Sequence, residues 1–418
     1  PMKPRVKLST RFLTARNAHQ VGMLVTLEGE TPVRRAPINV ALVLDRSGSM
    51  AGDPLAAAQD AARRFVSFLS PEDRLSVVTF DSEAALLFGP APGGDPVALT
   101  AISRINAGGM TNLSGGWLRG LHLVQEQLVD GTNRVVLFTD GQANRGIIAV
   151  PELVNMAAAA SAARVSTTCI GFGAEFNEDL LEPMARAGSG NYWFIEGDDQ
   201  MAAVFENEIT GLVALAAQNV EVTVRLTHPR AAGVTLLQSL PITQLPDGSR
   251  RIAIGDLYAT SPRSVGLRFH VEDVAELGPV QVAEVIVDAD VVTEQGIIHR
   301  TITMPVMAAL DRADHVEPMV EDTILQFQAA QAREQAIRLA DAGDFDAAAS
   351  CLRESIVQCA ASDSPEVRQE AHDLECQMRL LRSRRYSAID RKYDSAVAMS
   401  LRDGKQAYAR QLRRKRGR

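Results

Sequence analysis

The sequence predicts a doubly wound, Rossmann-like α/β domain inserted in an antiparallel β-sandwich, with a C-terminal α-helical hairpin or bundle after it. Three observations lead there. Strand and helix patterns alternate from Pro37 to Leu215, as in a sheet with helices on both faces. Strand-only patterns flank that stretch on both sides. Beyond residue 306 the periodicity is helical and strand signals cease. The resulting ranges are 1–36 for the first sandwich strands, 37–218 for the α/β domain, 219–306 for the remaining sandwich, 307–402 for helices and 403–418 for a basic tail.

Val6–Leu13 and Gln20–Leu27 alternate apolar and polar residues, as antiparallel strands with one wet face do. Ile38–Leu44 (INVALVL) is continuously apolar, which marks a strand buried on both faces. The α/β grammar continues with helix Pro54–Leu69, strand Leu75–Phe80, edge strand Ala84–Phe88 and helical segments Asp95–Ile105 and Leu113–Leu128. Strand Arg134–Phe138, helix Pro151–Ala163, strand Val165–Gly171, helix Glu178–Ala187, strand Tyr192–Ile195 and helix Asp198–Leu215 complete it. Six strands are then expected: Val220–Leu226, Thr235–Leu240, Arg251–Ile254, Ser264–Val271, Val280–Ala289 and Ile297–Met304. An isolated hairpin is marginally stable at best, so the two N-terminal strands are expected to complete this later sandwich. Helices follow at Glu321–Ala342, at Asp346–Ala360 and from Ser364–Pro365 to about Arg385. Ala340–Ile356 has the small-residue crossing of one tetratricopeptide-type hairpin, without a repeat array.

Composition narrows the function. With 46% apolar and 22% charged residues the chain has material for a core, which excludes disordered and collagen-like classes. The longest apolar runs, Ile38–Leu44 and Leu212–Ala217, fall short of the roughly 20 residues of a membrane helix. No secretory signal pattern is seen. Cys169, Cys351, Cys359 and Cys376 show no C-x-x-C spacing, so reduced thiols in a cytoplasmic protein are expected. The seven histidines form no H-E-x-x-H. The net charge is −8, yet residues 401–418 hold eight Lys or Arg against one Asp. An acidic body argues against broad nucleic-acid binding and leaves only the tail for such contacts.

Three pieces carry chemistry. The first α/β strand ends in Asp45-Arg46-Ser47-Gly48-Ser49, a later loop reads Gly108-Gly109-Met110-Thr111-Asn112, and the fourth strand ends in Thr139-Asp140-Gly141. Loops at the carboxyl ends of parallel strands surround the crevice where such sheets bind ligands. Two carboxylates and three hydroxyls are hard oxygen donors suited to Mg²⁺ or Mn²⁺, with Ca²⁺ a further option. At these residues the sequence resembles the von Willebrand factor A family, with a complete D-x-S-x-S, Thr, Asp metal-ion-dependent adhesion site: Asp45, Ser47, Ser49, Thr111 and Asp140. The resemblance covers residues 37–217, and the segment Ile254–Leu257 is similar to one in bacterial proteins with this domain. It implies that Ser47 and Ser49 ligate the ion directly, that Thr111 joins in a high-affinity form, and that Asp45 and Asp140 act largely through water. It also implies an open position filled by a partner's Asp or Glu, and an AAA+ ATPase as a class of partner.

Catalysis is not expected. Phosphoryl transfer would want a phosphate cradle, and no G-x-x-x-x-G-K-[ST] occurs. Gly171-Phe172-Gly173 lacks the third glycine of a dinucleotide fingerprint, and no loop histidine stands by to activate Ser47 or Ser49. Arg46 and Arg145 flank the crevice as partner contacts or solvated residues. The reading is a cytoplasmic, bacterial, metal-dependent protein-binding adaptor or scaffold. A secreted or surface adhesin and a metal-mediated self-assembling structural protein are the alternatives. A short junction at Ala216–Asn219 is expected to pass movements of the preceding helix to the sandwich.

Overall fold

A computed structural model describes residues 2–8, 12–13, 19–31, 35–141, 143–173, 176–238, 240–259, 262–272, 279–310, 318–402 and 412. The basic tail therefore lies outside the described residues except for Leu412, which is buried in the apolar cluster of the α/β domain. The N-terminal strands are β1 (Met2–Leu8), β2 (Phe12–Leu13) and β3 (His19–Gly29). β1 and β3 pair antiparallel from Met2↔Gly29 to Leu8↔Met23. The run expected as one strand over Val6–Leu13 is divided, because β2 joins a different sheet.

The α/β unit is built on β4 (Ile38–Asp45), β5 (Arg74–Phe80), β6 (Ala84–Pro92), β7 (Thr132–Thr139), β8 (Ser166–Phe172) and β9 (Ser189–Ile195). Their order is β6-β5-β4-β7-β8-β9, parallel except for edge strand β6. Every residue of β4 and β7 is buried, as strands covered on both faces must be. The covering helices are α1 (Asp53–Ser67), α2 (Pro96–Ile102), α3 (Leu113–Gln125), α4 (Val150–Ala162), α5 (Glu178–Ala187) and α6 (Asp198–Val213). Their starts are readable locally. Asp95 accepts a hydrogen bond from Val97 N at 2.8 Å ahead of Pro96, and Asn177 accepts one from Leu180 N at 3.2 Å.

Strand β10 (Leu215–Leu226) begins two residues after α6 ends. Ala216–Asn219, expected as a junction, is thus part of a strand: Ala217 pairs with Leu257 and Val291, and Gln218 with Asp290. The later strands are β11 (Ala231–Leu236), β12 (Ile242–Gln244), β13 (Arg250–Tyr258), β14 (Arg263–Val271), β15 (Pro279–Thr293) and β16 (Gly296–Leu310). They form two sheets, β1-β3-β14-β11 and β12-β13-β10-β15-β16-β2. N-terminal β3 pairs with β14 on the far side of the α/β segment. Alternate residues of the two sheets, among them Val21, Met23, Val25 and Leu27 against Val222, Val224, Val285 and Val287, share one apolar cluster.

Helices α7 (Pro318–Asp341), α8 (Phe345–Cys351), α9 (Arg353–Ala360), α10 (Pro365–Arg382) and α11 (Ala388–Arg402) follow. The helix expected over Asp346–Ala360 is broken at Leu352, a fully buried turn residue. α7–α10 enclose a cluster of their own around Ala336, Leu352 and Leu374. α11, which has no range of its own within the stretch expected to be helical, packs Val397, Met399 and Leu401 into the α/β cluster. Lys392 Nζ donates to Phe176 O at 2.6 Å, lies 4.0 Å from the Phe176 ring centre and pairs with Glu178. Arg391 reaches Glu178, Asp179 and Asp341 at 2.5, 2.7 and 2.7 Å.

A buried ion cluster joins the base of the α/β sheet to β13. Arg134 on β7, fully buried, donates to Glu208 of α6 at 2.9 Å and pairs with Asp256 of β13. Glu208 also accepts from Thr168, Asn191 and Trp193 at 2.6, 2.7 and 2.9 Å. Burial pushes the Glu208 carboxyl up, but Arg134 and these donors outweigh it and hold it below its ordinary range. Arg134→Met strands this carboxylate without its cation. The unfolding free energy from urea titration should fall by about 3–5 kcal/mol, and Arg134→Met with Glu208→Leu should recover part of the loss.

Candidate metal centre

β4 is a central strand, and its last residue, Asp45, sits beside the end of β7, where Thr139 and Asp140 follow one another. Asp45, Ser47, Thr111 and Asp140 are buried, while Ser49 is exposed. Asp45 is braced twice: Ser47 N donates to Oδ1 at 2.8 Å and Thr139 Oγ1 donates to Oδ2 at 2.5 Å. Ser49 Oγ donates to Asp140 Oδ1 at 2.9 Å. Its single hydrogen is thereby used, so the 3.1 Å contact between the two serine hydroxyls has Ser47 as donor. A Cβ placed on Gly141 would lie 3.3 Å from Thr111 Oγ1 and 3.8 Å from Ser49 Oγ, which puts both hydroxyls around one small space. The structure thus brings all five sequence-predicted residues to one end of the sheet.

The loops are held by backbone. Gly108 N donates to Arg46 O at 2.8 Å, Gly48 N to Gly109 O at 3.2 Å and Asn112 N to Asp81 O at 2.7 Å. Gly109 has φ +80°, and a Cβ there would stand 3.0 Å from the Asp81 side chain. Only glycine fits both conditions comfortably. Thr111 is clamped by Asn144, whose Oδ1 accepts from Thr111 N at 3.0 Å and whose N donates to Thr111 O at 3.2 Å. Sequence reasoning assigned no role to Thr139, Asn144 or Asp81. Thr139 had a visible signal, a hydroxyl residue directly before the strand-end aspartate. Asn144 had only its place in the turn-rich segment after Asp140.

Electrostatics separate this site from the base of the sheet. Burial pushes the Asp45 carboxyl up to about 6, against the pull of its hydrogen bonds from Thr139 and Ser47. Burial also raises Asp140, opposed by Ser49. Among the described residues neither carboxylate has a cationic side chain beside it. No group of three or more His, Cys, Asp or Glu among them is placed to hold a metal. The donor set is instead two desolvated carboxylates and three hydroxyls, which fits a small hard dication by ligand chemistry and by charge.

Residues 40–142 match the family model of the von Willebrand factor type A domain. The chain is 26% identical over 275 residues to Uncharacterized protein sll0103 of Synechocystis sp., covering 63% of this chain and 65% of that protein. It is 27% identical over 231 residues to human inter-alpha-trypsin inhibitor heavy chain H3, covering 53% of this chain and 25% of that one. The alignments therefore span less than two thirds of these relatives' length. Among solved structures, the von Willebrand factor type A protein from Catenulispora acidiphila superposes with a TM-score of 0.67 at 18% identity, over 91% of this chain and 89% of that one. The ArnB paralog VWA2 from Sulfolobus acidocaldarius does so with 0.59 at 15% identity, over 96% and 98%. The two structures show likeness of fold. With the family model they support a von Willebrand factor type A domain in this chain.

The buried charge of Asp45 makes a prediction in chelator. Asp45→Asn keeps an acceptor for Ser47 N and removes the desolvated charge. It should raise the unfolding free energy at pH 7 by roughly 1–2 kcal/mol, the cost of the upward shift less one weakened hydrogen bond. The shift is upward, so the wild-type penalty is absent below the ordinary value of 3.8, grows as pH rises from there and is complete above about 6. Wild type and variant should therefore converge in urea titrations near pH 4.

Proposed function

We propose that this protein is a metal-dependent protein-binding module, acting as an adaptor rather than an enzyme. The observation that carries this is the convergence of Asp45, Ser47, Ser49, Thr111 and Asp140 at one end of the sheet, two of them carboxylates raised by burial and, among the described residues, without a cationic side chain beside them. These five would hold Mg²⁺ or Mn²⁺, with Ca²⁺ a larger alternative. When bound, the dication supplies an under-neutralised Lewis-acidic position for a carboxylate from a partner protein. The chain's own residues do the rest. Thr139 and Ser47 N orient Asp45, Asn144 positions Thr111, and Ser49 orients Asp140. Hydroxyl donors leave more of the cation's charge uncompensated than carboxylates would, which favours an incoming anion.

Further features support the adaptor reading. The two sheets, antiparallel except where β2 pairs parallel with β16 and tied across the α/β segment by β3 and β14, serve as one sandwich platform that carries the α/β unit as an insertion. Helices α7–α11 serve as an arm. All four cysteines are free thiols, Cys169 and Cys359 buried, which suits a reducing cytoplasm. Among the described residues no helix is long and apolar enough to cross a membrane.

Isothermal titration of the full chain with MgCl₂ and MnCl₂ tests the site. One equivalent should bind to wild type, and Ser47→Ala and Asp140→Ala should each weaken binding at least about ten-fold with an unchanged far-UV spectrum. Equal affinity in all three proteins would remove the metal from these residues. Any captured partner should release in chelator and lose binding when its critical acid becomes an amide.

A further inference from the structure

The rim around the five oxygen donors carries three exposed side chains that metal holding leaves unused: Met110, Arg145 and Ile148. Met110 and Ile148 are 48% and 60% exposed. Single exposed apolar residues are ordinary on a soluble surface. Their setting here is not, because all three stand on one laced ridge. Met110 directly precedes Thr111 and its N donates to Ser82 Oγ at 3.0 Å. Arg145 directly follows Asn144, the residue that clamps Thr111. Ile148 follows Ile147, whose N donates to Ser114 Oγ at 2.8 Å. Gly146 lies so close to this segment that a Cβ there would come within 2.4 Å of Asn112 Oδ1. Residues 144–147 are thus sewn along residues 111–114, with Met110 flanking one end of the laced stretch, Ile148 the other, and Arg145 between them.

Charge distinguishes the two arginines of the crevice. Arg46 pairs with Asp81 at 2.8 Å. Arg145 has no ion pair or hydrogen bond among the described residues, although the chain carries a net charge of −8. A free arginine next to large apolar side chains is the residue mixture that protein interfaces concentrate at their centres. A polyanion such as nucleic acid would meet Arg145 between two large apolar side chains on this ridge, a poor match to a phosphate track.

We propose that this rim selects an acidic peptide segment with a particular side-chain set. One carboxylate takes the metal position, a large apolar side chain seats against Met110 at one end of the ridge or Ile148 at the other, and a second carboxylate pairs with Arg145 between them. This rests on the metal-dependent reading of the site. It adds which partner segments are accepted.

The test uses the full chain with an array of synthetic dodecapeptides bearing a central Asp or Glu and varied flanks, probed in MgCl₂ and in chelator. Mg²⁺-dependent binders should be enriched in a second acid and in Leu, Ile, Met or Phe. Arg145→Ala should erase the preference for the second acid, with about a three-fold loss for two-acid peptides and none for single-acid peptides. Arg145→Glu should instead favour peptides whose second acid is replaced by Lys. Met110→Ser with Ile148→Ser should weaken the apolar-bearing peptides roughly ten-fold. Binding of MgCl₂ alone, measured by titration calorimetry, should be the same in all these variants. Metal-dependent binders with no second-acid or apolar enrichment, or an Arg145→Ala profile identical to wild type, would overturn the rim proposal and leave the metal reading standing. Binders indifferent to chelator and to Ser47→Ala, or no Mg²⁺-dependent binder at all, would overturn both.

Discussion

A strand covered on both faces can carry polar side chains only where it leaves the core. β4 and β7 are buried along their whole length, and their polar groups stand toward the two ends, with Asn39, Asn133 and Arg134 at the amino ends and the candidate oxygen donors at the carboxyl ends. Asp45, Ser47, Ser49, Thr139 and Asp140 all stand there. Parallel register sets the two ends side by side, with Leu44 opposite Phe138. The position of the oxygen cluster is therefore a consequence of the sheet's burial, and the loops that complete it inherit that position. Asn112 N on Asp81 O and Gly108 N on Arg46 O are backbone bonds that hold the Thr111 loop to the ends of β4 and β5.

The same sheet carries buried charge at both ends, and the two ends are handled differently. At the base, Arg134 meets Glu208 and Asp256, and Glu208 is further satisfied by Thr168, Asn191 and Trp193. That cluster is closed by the protein's own side chains. Removing a member of such a cluster costs much, while its net contribution is modest. At the carboxyl end, Asp45 and Asp140 have hydroxyl and amide donors but no cationic side chain beside them among the described residues. Desolvated acids raised by burial and compensated only by hydrogen bonds are what a ligand site needs before its cation arrives. The contrast is between a charge cluster closed by the protein's own side chains and one held by hydrogen bonds alone.

The C-terminal helices connect to this frame through charge as well as apolar contact. α11 lies along α5, with Lys392 and Arg391 at Glu178 and Asp179 and Ser395 at Glu182. Arg333 of α7 meets Glu370 of α10 and Asp394 of α11, both buried with it, so the arm is locked to the helix that docks. Phe176 O accepts from Lys392 in the loop after β8, on the same side of the sheet as the oxygen cluster. The C-terminal helices therefore contact the α/β unit near the end that carries the oxygen cluster, while the sheets contact it at the base through Asp256.

Much of the α/β unit was legible because its signals are local. A continuous apolar run such as Val40–Leu44 reports burial on both faces without reference to any other residue. Asp95 before Pro96 and Asn177 before an apolar turn report helix starts in the same way. The five oxygen donors were legible because strand ends and spacing can be read along the chain. The partners of those donors were not: Asn144 on Thr111, and Thr139 on Asp45, depend on which turn folds against which. The sequence by itself determined the alternation of elements and the order in which the strand-end oxygen side chains occur. Tertiary structure decided that β2 leaves β1 for the far sheet, that residues 216–219 continue as strand, that α11 docks on α5, and that Arg134 finds Glu208 and Asp256. Those outcomes rest on contacts between residues far apart in the chain, where hydrogen-bond satisfaction and charge compensation outweigh local preference.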